Sequence, residues 1–237
     1  MQDGWDASAA AWVTDMADGG DHSRKAILDA PMSARVLASG AQKMLDVGCG
    51  EGRFCRMMAA QGVATVGIDP TAELLQAAKA ADPGGDYKLA GAEALPFDDG
   101  SFPLVVSYLT LIDIADARTG LSEMVRVLAP GGRLLIANLT GYCTASQIKD
   151  GGWKRAEDGS VTMTMDRYLE EHSHWAEWRG IRIRNWHRPA AFYMQNLLDL
   201  GMQLTFFDEP PSQDPVRGAR YNRAPYFQIM EWRKPGG

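Results

Sequence analysis

Apolar and polar positions change period several times along this chain, and those changes outline its elements. Trp5, Ala9, Trp12, Val13 and Met16 recur at helical spacing, and Gly19-Gly20 closes the run. A second helix is predicted from Ser23 to Leu37. Met44 to Val47 reads as a buried strand, a helix follows from about Arg53 to Ala60, and Val63 to Ile68 makes the next strand. Much further on, Val161 to Met165 alternates as a strand does. Trp175 to Asn185 alternates again, with Ile181 and Ile183 on one face and Arg182 and Arg184 on the other. A two-stranded antiparallel insertion is the expectation there. Ala190 to Leu200 is a helix with Gly201 as its stop, and Leu204 to Phe207 and Tyr226 to Trp232 are terminal strands.

The chemistry concentrates where the first two strands end. Leu45-Asp46-Val47-Gly48-Cys49-Gly50-Glu51-Gly52 puts a glycine turn between strand and helix, so backbone can approach a ligand closely. The helix after it presents unpaired N–H donors to whatever lies at the turn. Val66-Gly67-Ile68-Asp69 delivers a carboxylate to the end of the second strand, where open parallel sheets bind ligands and a ribose diol would find an acceptor. The plain alternative is that Asp69 or Thr71 caps the next helix with Pro70 at its first position, and that Asp46 is a buried acid satisfied by loop amides. A dinucleotide fingerprint needs G-x-G-x-x-G, but Gly52 stands one residue early. A P-loop would need Gly-Lys-Ser/Thr where this chain has Gly52-Arg53-Phe54.

In these features the chain resembles the class I S-adenosylmethionine-dependent methyltransferases, in particular the small-molecule, type 11-like group with a D-V-G-C-G-x-G turn. Gly91-Ala92-Glu93-Ala94-Leu95-Pro96-Phe97 looks like the segment bordering the adenine. Phe102 to Tyr108 looks like the fourth strand, and Glu123 to Gly132 like the helix and turn before a fifth strand, Arg133 to Asn138. The resemblance implies a Rossmann-like α/β fold: a seven-stranded, mostly parallel sheet with helices on both faces. It also implies S-adenosyl-L-methionine as cofactor and S-adenosyl-L-homocysteine as product. Asp46 would face the methionine amino group, with Gly48, Cys49 and Gly50 in the turn beside it. Asp69 would hold the ribose hydroxyls with Pro70 next to it, Gly91 and Ala92 would lie at the adenine, and Ser107 would stand beside the methionine moiety. Many relatives carry Asp where this chain has Gly91, which leaves Glu93 or water to meet the adenine amino group.

Composition bounds the rest. A chain of 237 residues can bury one α/β core plus an elaboration. This gives a single domain over 1–237: a helical lid at 1–40, a cofactor-binding core at 41–139, a cap at 140–188, and a terminal helix and strands at 189–237. A formal charge of −6 argues against a polyanion partner, so no nucleic acid is expected. Arg179, Arg182, Arg184 and Arg188 are assigned to a solvated edge-strand face rather than to RNA. Cys49, Cys55 and Cys143 form neither a disulfide framework nor a metal motif, which fits a reducing cytoplasm. No signal peptide or membrane span is expected, and the particle is expected to be a monomer or homodimer.

Seven tryptophans and seven tyrosines favour a small aromatic or heterocyclic acceptor, with oxygen ahead of nitrogen on the frequency of such enzymes in the family. Methyl transfer asks mainly for alignment, with a general base only for a protonated acceptor. Candidate bases are His22, His172, His174, His187 and Asp113; His22 and His187 are preferred among the histidines, and Asp113 stands just past the fourth strand. Arg24 would pair with the cofactor carboxylate if the first helix folds over the cleft, the alternative being a solvated helix face. Glu209 to Pro225 is a candidate substrate-contacting loop. An RNA-modifying methyltransferase and a nicotinamide-dependent oxidoreductase are the alternatives.

Overall fold

The computed structural model describes residues 3–17, 21–147, 152–216, 218 and 222–236, so the Gly19-Gly20 stop and part of the Glu209–Pro225 loop lie outside it. Helix α1 (Trp5–Ala17) is followed by a π-helical turn (Arg24–Leu28) that runs into α2 (Asp29–Ala38). The predicted second helix is therefore divided, its first turn wound wider than the rest. Then come β1 (Lys43–Val47), α3 (Arg53–Ala59), β2 (Ala64–Asp69), α4 (Ala72–Ala81) and β3 (Asp86–Leu89). β4 (Phe102–Tyr108), α5 (Ala117–Val127) and β5 (Leu128–Leu139) complete the first half.

Beyond β5 lie α6 (Gly141–Ala145), β6 (Gly152–Arg155), β7 (Val161–Thr164), β8 (His172–Trp178), β9 (Ile181–His187), α7 (Ala190–Asp199), β10 (Gln203–Asp208) and β11 (Phe227–Arg233). The main sheet runs β10-β11-β5-β4-β1-β2-β3. Its central strands are parallel, and β11 is antiparallel to both β5 and β10. Chain order reverses between β1 and β4, so the loops after these two strands leave in opposite directions and open a crevice at their carboxyl ends.

Period-two alternation divides the strand residues between two layers. Leu45, Val47, Val105, Leu134 and Ile136 pack with α5 and α7, whereas Met44, Leu104, Val106, Leu135 and Ala137 pack with α2 and α3. Helix α1 lies against β9 and α4, above the carboxyl edge.

Two expectations are corrected. The insertion is two separate antiparallel hairpins, β6 with β7 and β8 with β9, instead of one. Arg179 and Gly180, with φ of 43° and 81°, turn the chain back on itself between Trp178 and Ile181, as a two-residue hairpin loop requires. Arg188 does not sit on a solvated face: it is 3% exposed, and its guanidinium donates to the carbonyls of Leu111, Ile114 and Ala115.

Candidate active site at the carboxyl edge of the sheet

The glycine turn is tied to the neighbouring strand by its own amides, Gly48 N and Cys49 N each donating to Ile68 O at 2.8 Å. Gly48 has φ 75°, and a side chain there would begin 2.1 Å from Thr110 Cγ2, so close approach to the loop after β4 requires glycine. Gly50 has φ 56°, and its missing Cβ would point into open space with Trp12 Nε1 the nearest atom at 4.0 Å. Asp69 braces this geometry. Its two carboxylate oxygens accept from Gly50 N at 3.0 Å and from Thr71 N at 2.8 Å, which joins the turn to the start of α4. Thr71 is the residue at the cap position of α4, and Asp69 serves both helix and turn. Burial pushes the Asp69 carboxyl up, against the lowering effect of those two amides.

A cavity of about 370 Å³ opens above the turn. Arg24, Gly48, Cys49, Gly50, Asp69, Pro70, Gly91, Ala92, Glu93 and Asp113 all line it, although they come from five separate stretches of chain. Glu93 Oε2 lies 3.1 Å from the point where a side chain on residue 91 would start, so the Glu93 carboxylate stands over the gap left by Gly91. Asp46 and Ser107 are placed differently. Both are buried behind the turn and β4, off the cavity wall. Asp46 Oδ2 accepts from Cys55 Sγ at 3.5 Å, while its Oδ1 and the Ser107 hydroxyl have no partner among the described residues. Burial raises the Asp46 carboxyl to about 7, opposed by the Cys55 contact and the Arg24 charge.

A second cavity of about 500 Å³ adjoins the first, and Trp5, Trp12, Arg24, Leu109 and Asp113 line both. These five residues frame the passage between them. The Arg24 guanidinium lies 5.2 Å from the Trp12 ring centre and 5.5 Å from that of Tyr108, with Nε 3.2 Å from Asp21. It is therefore packed between aromatic rings and faces the cavities, not a solvated helix face. Asp113 Oδ1 accepts from Asn185 Nδ2 at 2.6 Å, and burial pushes its carboxyl well above the usual range, against the Arg24 charge.

The histidines divide. His22 lines the second cavity, its Nε2 2.9 Å from Asp214. His187 has no exposed surface and lines neither cavity; it is held between the Thr144 hydroxyl at 2.7 Å and the Tyr168 carbonyl at 2.8 Å, and burial lowers its pKa. His172 Nδ1 lies 2.9 Å from the Glu170 carbonyl. His174 is bonded to Gln147, and burial lowers it to about 4.

Sequence reasoning missed several wall residues: Glu51, which accepts from Trp12 Nε1 at 3.0 Å, and Tyr108, Thr110, Asn185 and Trp186. Only Glu51 carried a signal, since it lies inside the glycine turn. Leu109, with φ 59°, adopts a left-handed backbone at the end of β4 that nothing in its identity announces.

A methyltransferase domain model matches residues 45–136, from β1 through the body of β5. Over 206 residues the chain is 34% identical to the malonyl-[acyl-carrier protein] O-methyltransferase of Salmonella typhimurium, covering 84% of this chain and 77% of that protein. The chain belongs to the class I S-adenosylmethionine-dependent methyltransferases. The enzyme of the same name from Erwinia billingiae is 39% identical over 99 residues, 42% of this chain and 39% of that protein. The chain spans 39% to 60% of the length of the first curated relatives it matches, short of two thirds. An S-adenosylmethionine-dependent methyltransferase structure from Mesorhizobium loti superposes with a TM-score of 0.74 at 26% identity, covering 86% of this chain and 96% of that one.

S-Adenosylmethionine is the cofactor of this family, and the residues present fit it. The Gly50 cradle faces open space that a side chain would fill, Asp46 keeps a buried oxygen behind the turn with no partner among the described residues, and Asp69 and Glu93 line the first cavity. Among the described residues of this methyltransferase, no cluster of His, Cys, Asp and Glu is arranged to hold a metal ion. No described helix is long and apolar enough to cross a membrane.

Proposed function

We propose that this methyltransferase moves a methyl group to a small aromatic or heterocyclic acceptor, at oxygen before nitrogen. The observation that carries the reading is the pair of adjoining cavities with Trp5, Trp12, Arg24, Leu109 and Asp113 between them. The first is the size and chemistry of a nucleoside site; the second has Trp5, Trp12, Trp178, Tyr226 and Phe227 in its walls, which suits a flat ring. The Salmonella relative, an O-methyltransferase by name, supports oxygen.

S-Adenosylmethionine supplies, when bound, a methyl group on a positively charged sulfur. In this reading Asp69 holds the ribose diol, Ala92 and Glu93 meet the adenine, Arg24 takes the carboxylate, and Asp46 attracts the amino group from behind the glycine turn. Trp5 and Trp12 exclude water from the passage, where alignment of reactants is worth roughly 7 to 11 kcal/mol. Asp113 accepts the proton that the acceptor oxygen gives up as the oxygen–carbon bond forms and the carbon–sulfur bond breaks. A base so placed contributes about 10²- to 10⁴-fold. His22 stands at the far rim and belongs to acceptor entry. Segments 1–40 and 140–188 close over 41–139 as one domain, a monomer or homodimer, and three buried free thiols suit a reducing cytoplasm.

Mass spectrometry after incubation with methyl-labelled cofactor and a panel of phenols, hydroxylated heterocycles, amines, thiols and RNA tests this. One methyl gained by a phenol or heterocycle, and lost with Asp113→Asn, is the expected result. Transfer to RNA alone would overturn it.

A further inference from the structure

Strand β9 forms the partition between the two cavities. Because successive side chains leave a strand on opposite sides, Arg184 and Trp186 line the first cavity while Ile183 and Asn185 line the second. The same strand end grips the loop that carries Asp113. Trp186 N donates to Ile112 O at 2.6 Å, and Arg188 donates to Leu111 O at 3.0 Å, Ile114 O at 2.7 Å and Ala115 O at 2.9 Å. A guanidinium buried on three carbonyls is costly to separate from them, so loop and hairpin behave as one unit. Within that unit Asn185 reaches across to Asp113, Nδ2 to Oδ1 at 2.6 Å.

We infer that Asn185 is a positioning residue: its amide holds the Asp113 carboxyl in place at the wall of the acceptor cavity for its part in methyl transfer. This rests on the reading of Asp113 as the acceptor-facing base. Asp113 is faced by Arg24 of the π-helical turn, Asp3 ahead of α1, Asp69 at the end of β2, and Asn185. Arg24 and Asn185 favour the charged carboxyl; burial and the two aspartates oppose it. With Asn185 removed, the balance moves toward the protonated, non-basic acid.

The test is carbon-13 NMR of protein labelled at aspartate carboxyls, with Asp113→Asn assigning the resonance. Asn185→Leu keeps the approximate volume without the donor, and Asn185→Ala is the second variant. The Asp113 midpoint is expected to rise by about one pH unit in both. S-Adenosylhomocysteine affinity by calorimetry should stay within about threefold of wild type, because Asn185 does not line the first cavity. Turnover of the acceptor found by the panel should fall about 10- to 100-fold near neutrality with KM little changed, recovering at higher pH. In the unmodified protein, the Asn185 side-chain amide protons should shift with the Asp113 midpoint, a readout that needs no variant to fold. An Asp113 midpoint unmoved in the variants, or amide protons indifferent to it, overturns the proposal. Failure of wild-type protein to bind S-adenosylhomocysteine would instead count against the methyltransferase reading, leaving the titration to judge Asn185.

Discussion

Gly50 shows how one position can be settled by the absence of a side chain. Its backbone is left-handed at φ 56°, and the space in front of it is open, the place the proposed reading gives to the cofactor. Gly50→Val meets both penalties, because a β-branched residue is disfavoured there by roughly 1 to 2 kcal/mol and its methyls would fill the cradle. The expected result is at least a tenfold loss of S-adenosylhomocysteine affinity by calorimetry, in a protein that still folds. Gly48 is the contrasting case: its missing Cβ is replaced by Thr110 Cγ2, so glycine at 48 protects packing while glycine at 50 leaves the cavity open. The spacing of the turn revealed that glycines were needed. Which glycine answered to ligand and which to protein depended on what lay opposite, and Thr110 and Trp12 come from distant stretches.

Helix α1, expected from the sequence to belong to a helical lid, both packs on its neighbours and lines the two cavities. Its apolar stripe packs on β9 and α4, as any amphipathic helix would, and the same stripe carries Trp5 and Trp12 into both cavities. Trp12 also donates to Glu51 in the glycine turn, which latches the helix over the site. Trp12→Ala removes packing, latch and roof together. It should destabilise the protein by up to about 3 to 5 kcal/mol in thermal melts, at the large end because the ring is nearly all buried. Cofactor affinity should drop further than the loss of stability explains, and equal affinity in a folded variant would remove α1 from the site. The β8–β9 hairpin teaches a similar lesson. Arg179-Gly180 was a legible turn, yet one long alternating run hid it, and only strand pairing separated the two arms.

Across the whole molecule, the sheet gathers acids at one edge. Asp46 comes from β1, Asp69 from the end of β2 and Asp113 from the loop after β4, and burial raises all three above the usual carboxylate range. A carboxyl raised in the folded state stabilises the fold while protonated. That contribution is present below the unfolded pKa near 3.8 and is lost as pH climbs through the folded value, about 7 for Asp46. Melting temperature of the ligand-free protein should therefore decline between about pH 4 and 7, and Asp46→Asn should flatten the decline. Parallel curves for the two proteins would show that Asp46 does not titrate in that window.

The sequence by itself determined the parts that depend on neighbours along the chain. Periodicity gave the central strands and helices, and the D-V-G-C-G-x-G turn with Asp69 pointed to the edge where the first cavity opens, because backbone reach and strand ends are local properties. Tertiary structure decided what distant segments do to one another. His187, attractive by position, is enclosed by Thr144 and Tyr168; Arg188, attractive as a surface charge, is buried on loop carbonyls; and Asn185, with no motif around it, meets Asp113. Such pairings are set by how a hairpin lies on a sheet edge, and a strand's own pattern of apolar and polar residues carries no record of what faces it.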